Sequence, residues 1–229
     1  MSFFTLIMKK WLMMFAVFTV FCTLSAAPVQ KPVLSANVPR IKAERMPDLL
    51  KLPWNKGCKL PMNLDRHGKP VKTQRQMTLL HDGIALYLRY DEKCDLKKLE
   101  GNASESSVWK NDSLEIFFAA KNAKPYTHYS TCVWGQKAGL CSFPKSESHF
   151  NGNWNFGEKR KIVIGKKEYT IYISIPLLYL LPSEVAPGQT IYANFFRYTP
   201  SLGMASCWNP IYAFPFSTIE RAGKITLAK

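Results

Sequence analysis

Ser107-Val108-Trp109-Lys110-Asn111-Asp112-Ser113-Leu114-Glu115-Ile116-Phe117-Phe118 decides how the rest of the chain is read. A polar, turn-forming segment from Glu100 leads into an aromatic residue, a Lys-Asn-Asp-Ser loop and then an alternating run. Successive side chains of an extended strand point to opposite faces. Leu114, Ile116 and Phe118 therefore share one face, and Ser113, Glu115 and Phe117 share the other. Trp109 precedes the strand, on a loop that can present it to solvent, and Glu115 shows a carboxylate on the strand's second face. An aromatic ring beside a hydrogen-bonding carboxylate suits a sugar, which has an apolar ring face and a rim of hydroxyls. A core tryptophan at a strand start beside a solvated glutamate leaves the same pattern.

Outward from this stretch, short apolar runs recur with turn residues between them. Gln76–His81 and Ile84–Tyr90 read as a hairpin closed by Asp82-Gly83. Tyr126–Trp134 and Ala138–Phe143 read as a second hairpin. Lys161–Ile164 and Tyr169–Ile175 form a third, around Gly165-Lys166-Lys167. Ile191–Tyr198 and Lys224–Leu227 are single strands, and Pro182 stops a brief apolar turn at Pro176–Leu181. No segment keeps a long 3.6-residue period. Many short strands at regular spacing predict an all-β chain, a single antiparallel β-sandwich of jelly-roll or immunoglobulin-like type.

The N-terminus reads as a secretory signal: Lys9-Lys10, an apolar run from Trp11 to Leu24, then Ser25-Ala26-Ala27. Met8 is the more conventional start, because the basic pair would then open the segment. Cleavage is expected after Ala26, since Pro28 disfavours a cut directly before it. Cys22 follows Phe21 rather than a small residue, which argues against lipid attachment there. The apolar run is short for a membrane span. The expected organisation is signal peptide 1–26, a Pro- and Lys-containing extension 27–50, and a sandwich 51–229. The destination is outside the cytoplasm: secreted, periplasmic or at the cell surface.

The formal charge of +15 falls to +13 on cleavage, because residues 1–26 carry two lysines and no acid. A strongly basic surface favours anionic partners, among them acidic polysaccharide. The lysines are spread along the chain and no nucleic-acid motif accompanies them. Five cysteines remain after cleavage, so at least one has no partner within the chain. Cys132 and Cys141 are the expected disulfide, being equidistant from the Gln136-Lys137 centre of a loop flanked by Gly135 and Gly139. No Cys-x-x-Cys pair supports zinc, and no cluster of oxygen ligands supports calcium.

The order of these features resembles the family 9 carbohydrate-binding modules and their wider relatives. The resemblance rests on Ala85-Leu86-Tyr87-Leu88, on Trp109 to Phe117, and more loosely on His128-Tyr129-Ser130-Thr131. It continues through Tyr172-Ile173-Ser174-Ile175-Pro176, Asn194-Phe195-Phe196-Arg197, Ser206-Cys207-Trp208-Asn209-Pro210 and Ala222-Gly223. It spans about residues 52–228 and implies a β-sandwich that holds the end of a glycan between two aromatic rings. The first ring maps onto Trp109 and the second onto Phe216, with Trp208 on a family tryptophan nearer the core. Glu115 and Arg197 are the expected polar partners of the sugar hydroxyls. The chain departs from the family's glucan-binding members in several places. Ser130 and Cys132 stand where those carry Arg and Asn, Ala213 and Phe214 where they carry Asn, and Phe196 where they carry an amide.

Catalysis lacks support in the sequence. A glycosidase needs two carboxylates flanking the scissile bond, and Asp112 and Glu115 point to opposite faces if both are extended. No nucleophile elbow or phosphate loop occurs. The expected function is non-catalytic carbohydrate binding in the service of polysaccharide recognition or degradation, with no cofactor. Two alternatives stay open. One is a haem-binding or electron-transfer sandwich using Met204 and His128; the other is a basic cell-surface interaction domain. His67, His81, His128 and His149 are scattered, and Trp134 and Trp154 are loop aromatics without a motif.

Overall fold

The computed structural model describes residues 32–101, 105–144, 152–212 and 217–229. In chain order the strands among them are β1 (Ser35–Val38), β2 (Cys58–Pro61), β3 (Arg75–His81), β4 (Ala85–Lys93), β5 (Ser113–Lys121), β6 (Ala123–Cys132) and β7 (Lys137–Ser142). They continue as β8 (Gly152–Asn153), β9 (Lys159–Ile164), β10 (Glu168–Pro176), β11 (Thr190–Thr199), β12 (Met204–Cys207) and β13 (Gly223–Leu227). Two sheets result. The larger runs β1-β13-β11-β5-β6-β7-β8 with β12 also paired to β11, and the smaller runs β2-β3-β4-β10-β9. The β1–β13 pair is parallel and the other ladders are antiparallel. The all-β sandwich expected from the alternating runs is the fold observed, and no helix among the described residues is long and apolar enough to cross a membrane.

The core lies between the sheets. Leu114, Ile116 and Phe118 of β5 and Ile191, Ala193 and Phe195 of β11 face Met77 and Leu79 of β3, Leu86 and Leu88 of β4, and Ile171, Ile173 and Ile175 of β10. Trp208 joins this core, its ring 5.9 Å from that of Phe195. The β3–β4 hairpin closes as the Asp82-Gly83 pair requires. Gly83 takes φ +93°, and the Asp82 carboxylate accepts from the amides of Ile84 and Ala85.

One polar cluster interrupts the apolar layer. Glu92 of β4 is 2% exposed and accepts from Nε of Arg75 and Nε of Arg197, each at 2.7 Å. Tyr90 and Tyr169 donate their hydroxyls to the same carboxylate. Arg75 also donates to Ser206 and Thr199 of the opposite sheet. Burial pushes the Glu92 carboxyl up, but the two guanidiniums outweigh it and hold it down to about 2. The cluster joins β3, β4 and β10 of one sheet to β11 and β12 of the other.

One expectation needs correction. The Cys132–Cys141 disulfide is absent, and both thiols are free. The β6–β7 register sets Thr127 opposite Cys141, while Cys132 donates its amide to Gln136. The hairpin turns at Trp134-Gly135, where Gly135 takes φ +101°, and not at Gln136-Lys137. That offset separates the two cysteines along the ladder. Within the 27–50 extension, Ser35–Val38 forms β1. β1 pairs with β13, and Leu49, Leu52 and Trp54 cover Leu80, Ala85, Tyr87 and Tyr172 on the outer face of the smaller sheet. The signal segment lies outside the described residues.

Candidate functional site

The outer face of the larger sheet carries the second face of the opening stretch. Because Leu114, Ile116 and Phe118 point inward, Glu115 and Phe117 point outward, and pairing sets Ser130 beside Glu115 and His128 beside Phe117. Tyr126, two residues before His128, shares the outward phase. On the other side of β5, Tyr198 of β11 faces the same way. These side chains floor a cleft of about 1060 Å³. Its walls come from Asp65, Arg66, His67 and Val71, from Pro200 to Ala205, from Ser217 and from Trp109.

The polar centre of the floor is compact. His128 stacks on Phe117 with ring centroids 4.1 Å apart and planes 11° from parallel. Its Nε2 lies 3.1 Å from Glu115 Oε2 and 2.9 Å from the Ser130 hydroxyl. A carboxylate only accepts, so Nε2 carries the proton in the contact with Glu115. Ser113 donates to the other Glu115 oxygen at 3.3 Å. Glu115 is therefore held in place by partners on two strands, a fixed acceptor at the bottom of an aromatic-lined hollow.

Trp109 lines the same cleft. It stands at the end of a 3-10 turn, Glu105–Lys110, between anchors that are themselves buried. Val108 has no exposed surface, and the Asp112 carboxylate accepts from the Glu100 amide and the Ser201 hydroxyl. Between them Trp109 remains 38% exposed. Asp112 thus ties the tryptophan turn to the wall after β11, which is why an acid sits just before the strand.

The opposite wall is also pinned. The Asp65 carboxylate accepts from the amides of His67 and Lys69, and Leu64 exchanges two backbone hydrogen bonds with Cys207 of β12. Gly68 takes φ +79°, with the Tyr212 hydroxyl 2.7 Å from where a Cβ would stand. Two carboxylates, Asp65 and Glu115, line the cleft, and each also holds its own surroundings: Asp65 the His67 and Lys69 amides, Glu115 the Ser113 hydroxyl and His128. Among the described residues no group of His, Cys, Asp and Glu is placed to hold a metal ion.

Of the residues expected from the sequence, Trp109 and Glu115 meet in this cleft. Arg197 does not: it points into the core and pairs with Glu92. The signal lay in its own strand, since Arg197 continues the inward phase of Ile191, Ala193 and Phe195. Phe216 lies outside the described residues, as do Ala213, Phe214 and His149. Phe117, Tyr126 and Tyr198 also line the cleft, with His128, and the alternation of β5 alone sets Phe117 on the face of Glu115. Met204 and His128 line the same cleft, but the His128 Nε2 is committed to Glu115 and Ser130.

No family model and no curated protein sequence matches this chain. Solved structures do. A candidate carbohydrate-binding protein from Bacteroides uniformis superposes with a TM-score of 0.69 at 16% identity, over 86% of this chain and 100% of its own. A family 9 carbohydrate-binding module from Caldicellulosiruptor kristjanssonii in complex with cellotriose gives 0.59 at 15% identity, over 85% of this chain and 93% of its own. A module of that family from the same organism, in complex with glucose, gives 0.55 at 15%, over 84% and 95%. The likeness is one of fold, that of the family 9 modules, and it extends over most of the chain.

Proposed function

We propose that this chain is a non-catalytic carbohydrate-binding module that takes a glycan into the cleft lined by Trp109. The observation that carries the reading is an exposed aromatic ring in one cleft with a fixed acceptor: Trp109, 38% exposed, lines the same cleft as Glu115, which Ser113 and the buried, Phe117-stacked His128 hold in place. A pyranose covers an aromatic ring with its C–H face and directs its hydroxyls sideways, where Glu115 accepts from them. Rigid walls favour such binding because little order has to be bought on association. The cellotriose and glucose complexes of similarly folded modules support the ligand class.

The polar set differs from the one the resemblance implies. Ser130 and His128 complete the shell of Glu115, while Arg197 serves the core. A glycan other than a plain glucan end fits this change, and the charge of +13 expected after cleavage puts uronic and sulfated chains first among those to test. The signal-like N-terminal sequence supports an exported module that serves polysaccharide recognition or degradation. Binding to an array of neutral and acidic glycans tests the proposal. Capture of at least one class is expected, with about tenfold or greater loss in Trp109→Ala and an unchanged melting temperature. Absence of binding to every glycan by folded protein would overturn it.

A further inference from the structure

A second hollow of about 770 Å³ adjoins the first, and Trp109, Tyr126 and Leu140 line both. Its far side is Trp154 with Ser142, Asn153 and Asn155. The two hollows share a floor that follows from strand register. Phe117 pairs with His128, His128 with Leu140 and Leu140 with Asn153, one outward row across β5, β6, β7 and β8. Three strand spacings make this row about 14 Å long, which exceeds a single pyranose ring. At one end of the row lies the Glu115–His128 pair; at the other lie the amides of Asn153 and Asn155.

Trp154 is fixed rather than loose. Its indole N–H donates to the Tyr179 carbonyl at 2.8 Å, and its backbone amide donates to Gly139. Gly139 is what lets this segment lie on β7: a Cβ there would come within 2.3 Å of the Trp154 carbonyl. An aromatic side chain, two amides and a hydroxyl around a groove repeat the sugar-binding chemistry of the first hollow at a second position.

We infer that the two hollows are consecutive subsites, and that the ligand is an internal stretch of a glycan chain running along the row past Trp109, not a chain end. This rests on the carbohydrate-binding reading of the first cleft. The test is calorimetric titration of the purified protein with ladders of one to six sugars from β-glucan, mannan, xylan and polygalacturonate. A reducing-end-reduced hexamer of each is included. Affinity is expected to rise about tenfold from the disaccharide to the pentasaccharide on at least one ladder, and end reduction to change it less than about twofold.

Trp154→Ala and Asn153→Ala are each expected to remove that rise and leave disaccharide binding in place. Asn153 is exposed, so its variant tests the subsite even if the tryptophan variant fails to fold. Affinity that is complete at the disaccharide and indifferent to both substitutions would overturn the second subsite and leave the first cleft standing. Binding abolished by end reduction would do the same. Failure of every ladder at every length, together with a blank array of neutral, uronic and sulfated glycans, would overturn both readings together.

Discussion

Replacing Glu92 by Gln removes one charge from the junction of the two sheets and leaves the shape nearly unchanged. Arg75 and Arg197, 6% and 1% exposed, then face a neutral amide. Breaking a buried pair by removing one partner costs about 3–5 kcal/mol. At about 2–4 °C per kcal/mol for a domain of this size, the melting temperature should fall by about 10–15 °C at pH 7. The pH dependence gives an independent magnitude. The carboxyl titrates at 4.5 when unperturbed and at about 2 in the fold. A folded pKa below the unfolded one contributes stability that is fully present above about 4.5 and is lost as pH falls toward 2. The size of that term is roughly 3 kcal/mol. Urea unfolding of both proteins between pH 7 and pH 2 checks the sign. The difference between wild type and Glu92→Gln should be widest at neutral pH and should close as the acid limb is descended. A constant difference across that range, or one below about 1 kcal/mol at pH 7, would refute the assignment.

Three further outcomes are expected. Glu115→Gln keeps the side-chain volume but turns one accepting oxygen into a donor, so glycan affinity should drop by about tenfold while stability shifts by less than about 1 kcal/mol; equal affinity would remove Glu115 from the site. Gly135→Ala meets no neighbour within 4 Å but must adopt φ +101°, so it should cost about 1 kcal/mol by urea unfolding and leave binding unaltered. Burial raises the thiols of Cys94 and Cys141 to about 11 and that of Cys207 to about 12, which leaves little thiolate at pH 8. Ellman's reagent should therefore react slowly with native protein, and alkylation of denatured, unreduced protein should label Cys58, Cys94, Cys132, Cys141 and Cys207 alike; an unlabelled pair by mass spectrometry would restore a disulfide.

The parts of the fold legible in the sequence are those written as alternation. Leu114, Ile116 and Phe118 against Glu115 and Phe117 fixed both faces of β5, and Asp82-Gly83 fixed a hairpin. β2 and β12 left no trace because each is four residues long and too short to show a period. The β6–β7 turn was misplaced because its centre depends on which glycine takes positive φ, and Gly135 and Gly139 look alike in sequence. At the site, Trp109 and Glu115 were readable from one contiguous stretch. His128 and Tyr198 were not, because their place beside Glu115 and Ser113 comes from pairing across strands distant in sequence. The role of Asp112 was likewise hidden, since its partner Ser201 lies 89 residues away.

The outward row that floors the cleft has an evolutionary consequence. On β5 the cleft residues are bracketed in sequence by core residues: Glu115 stands between Leu114 and Ile116, and Phe117 between Ile116 and Phe118. A change at an outward position such as Glu115 therefore leaves the volumes packed between the sheets unaltered. The loops from Asp65 to Val71 and from Pro200 to Ala205 can change with equal freedom. Sandwiches that share only 15–16% of their residues yet superpose over most of their length are what such a division of labour leaves behind. The cleft can change on one set of positions while the other keeps the architecture.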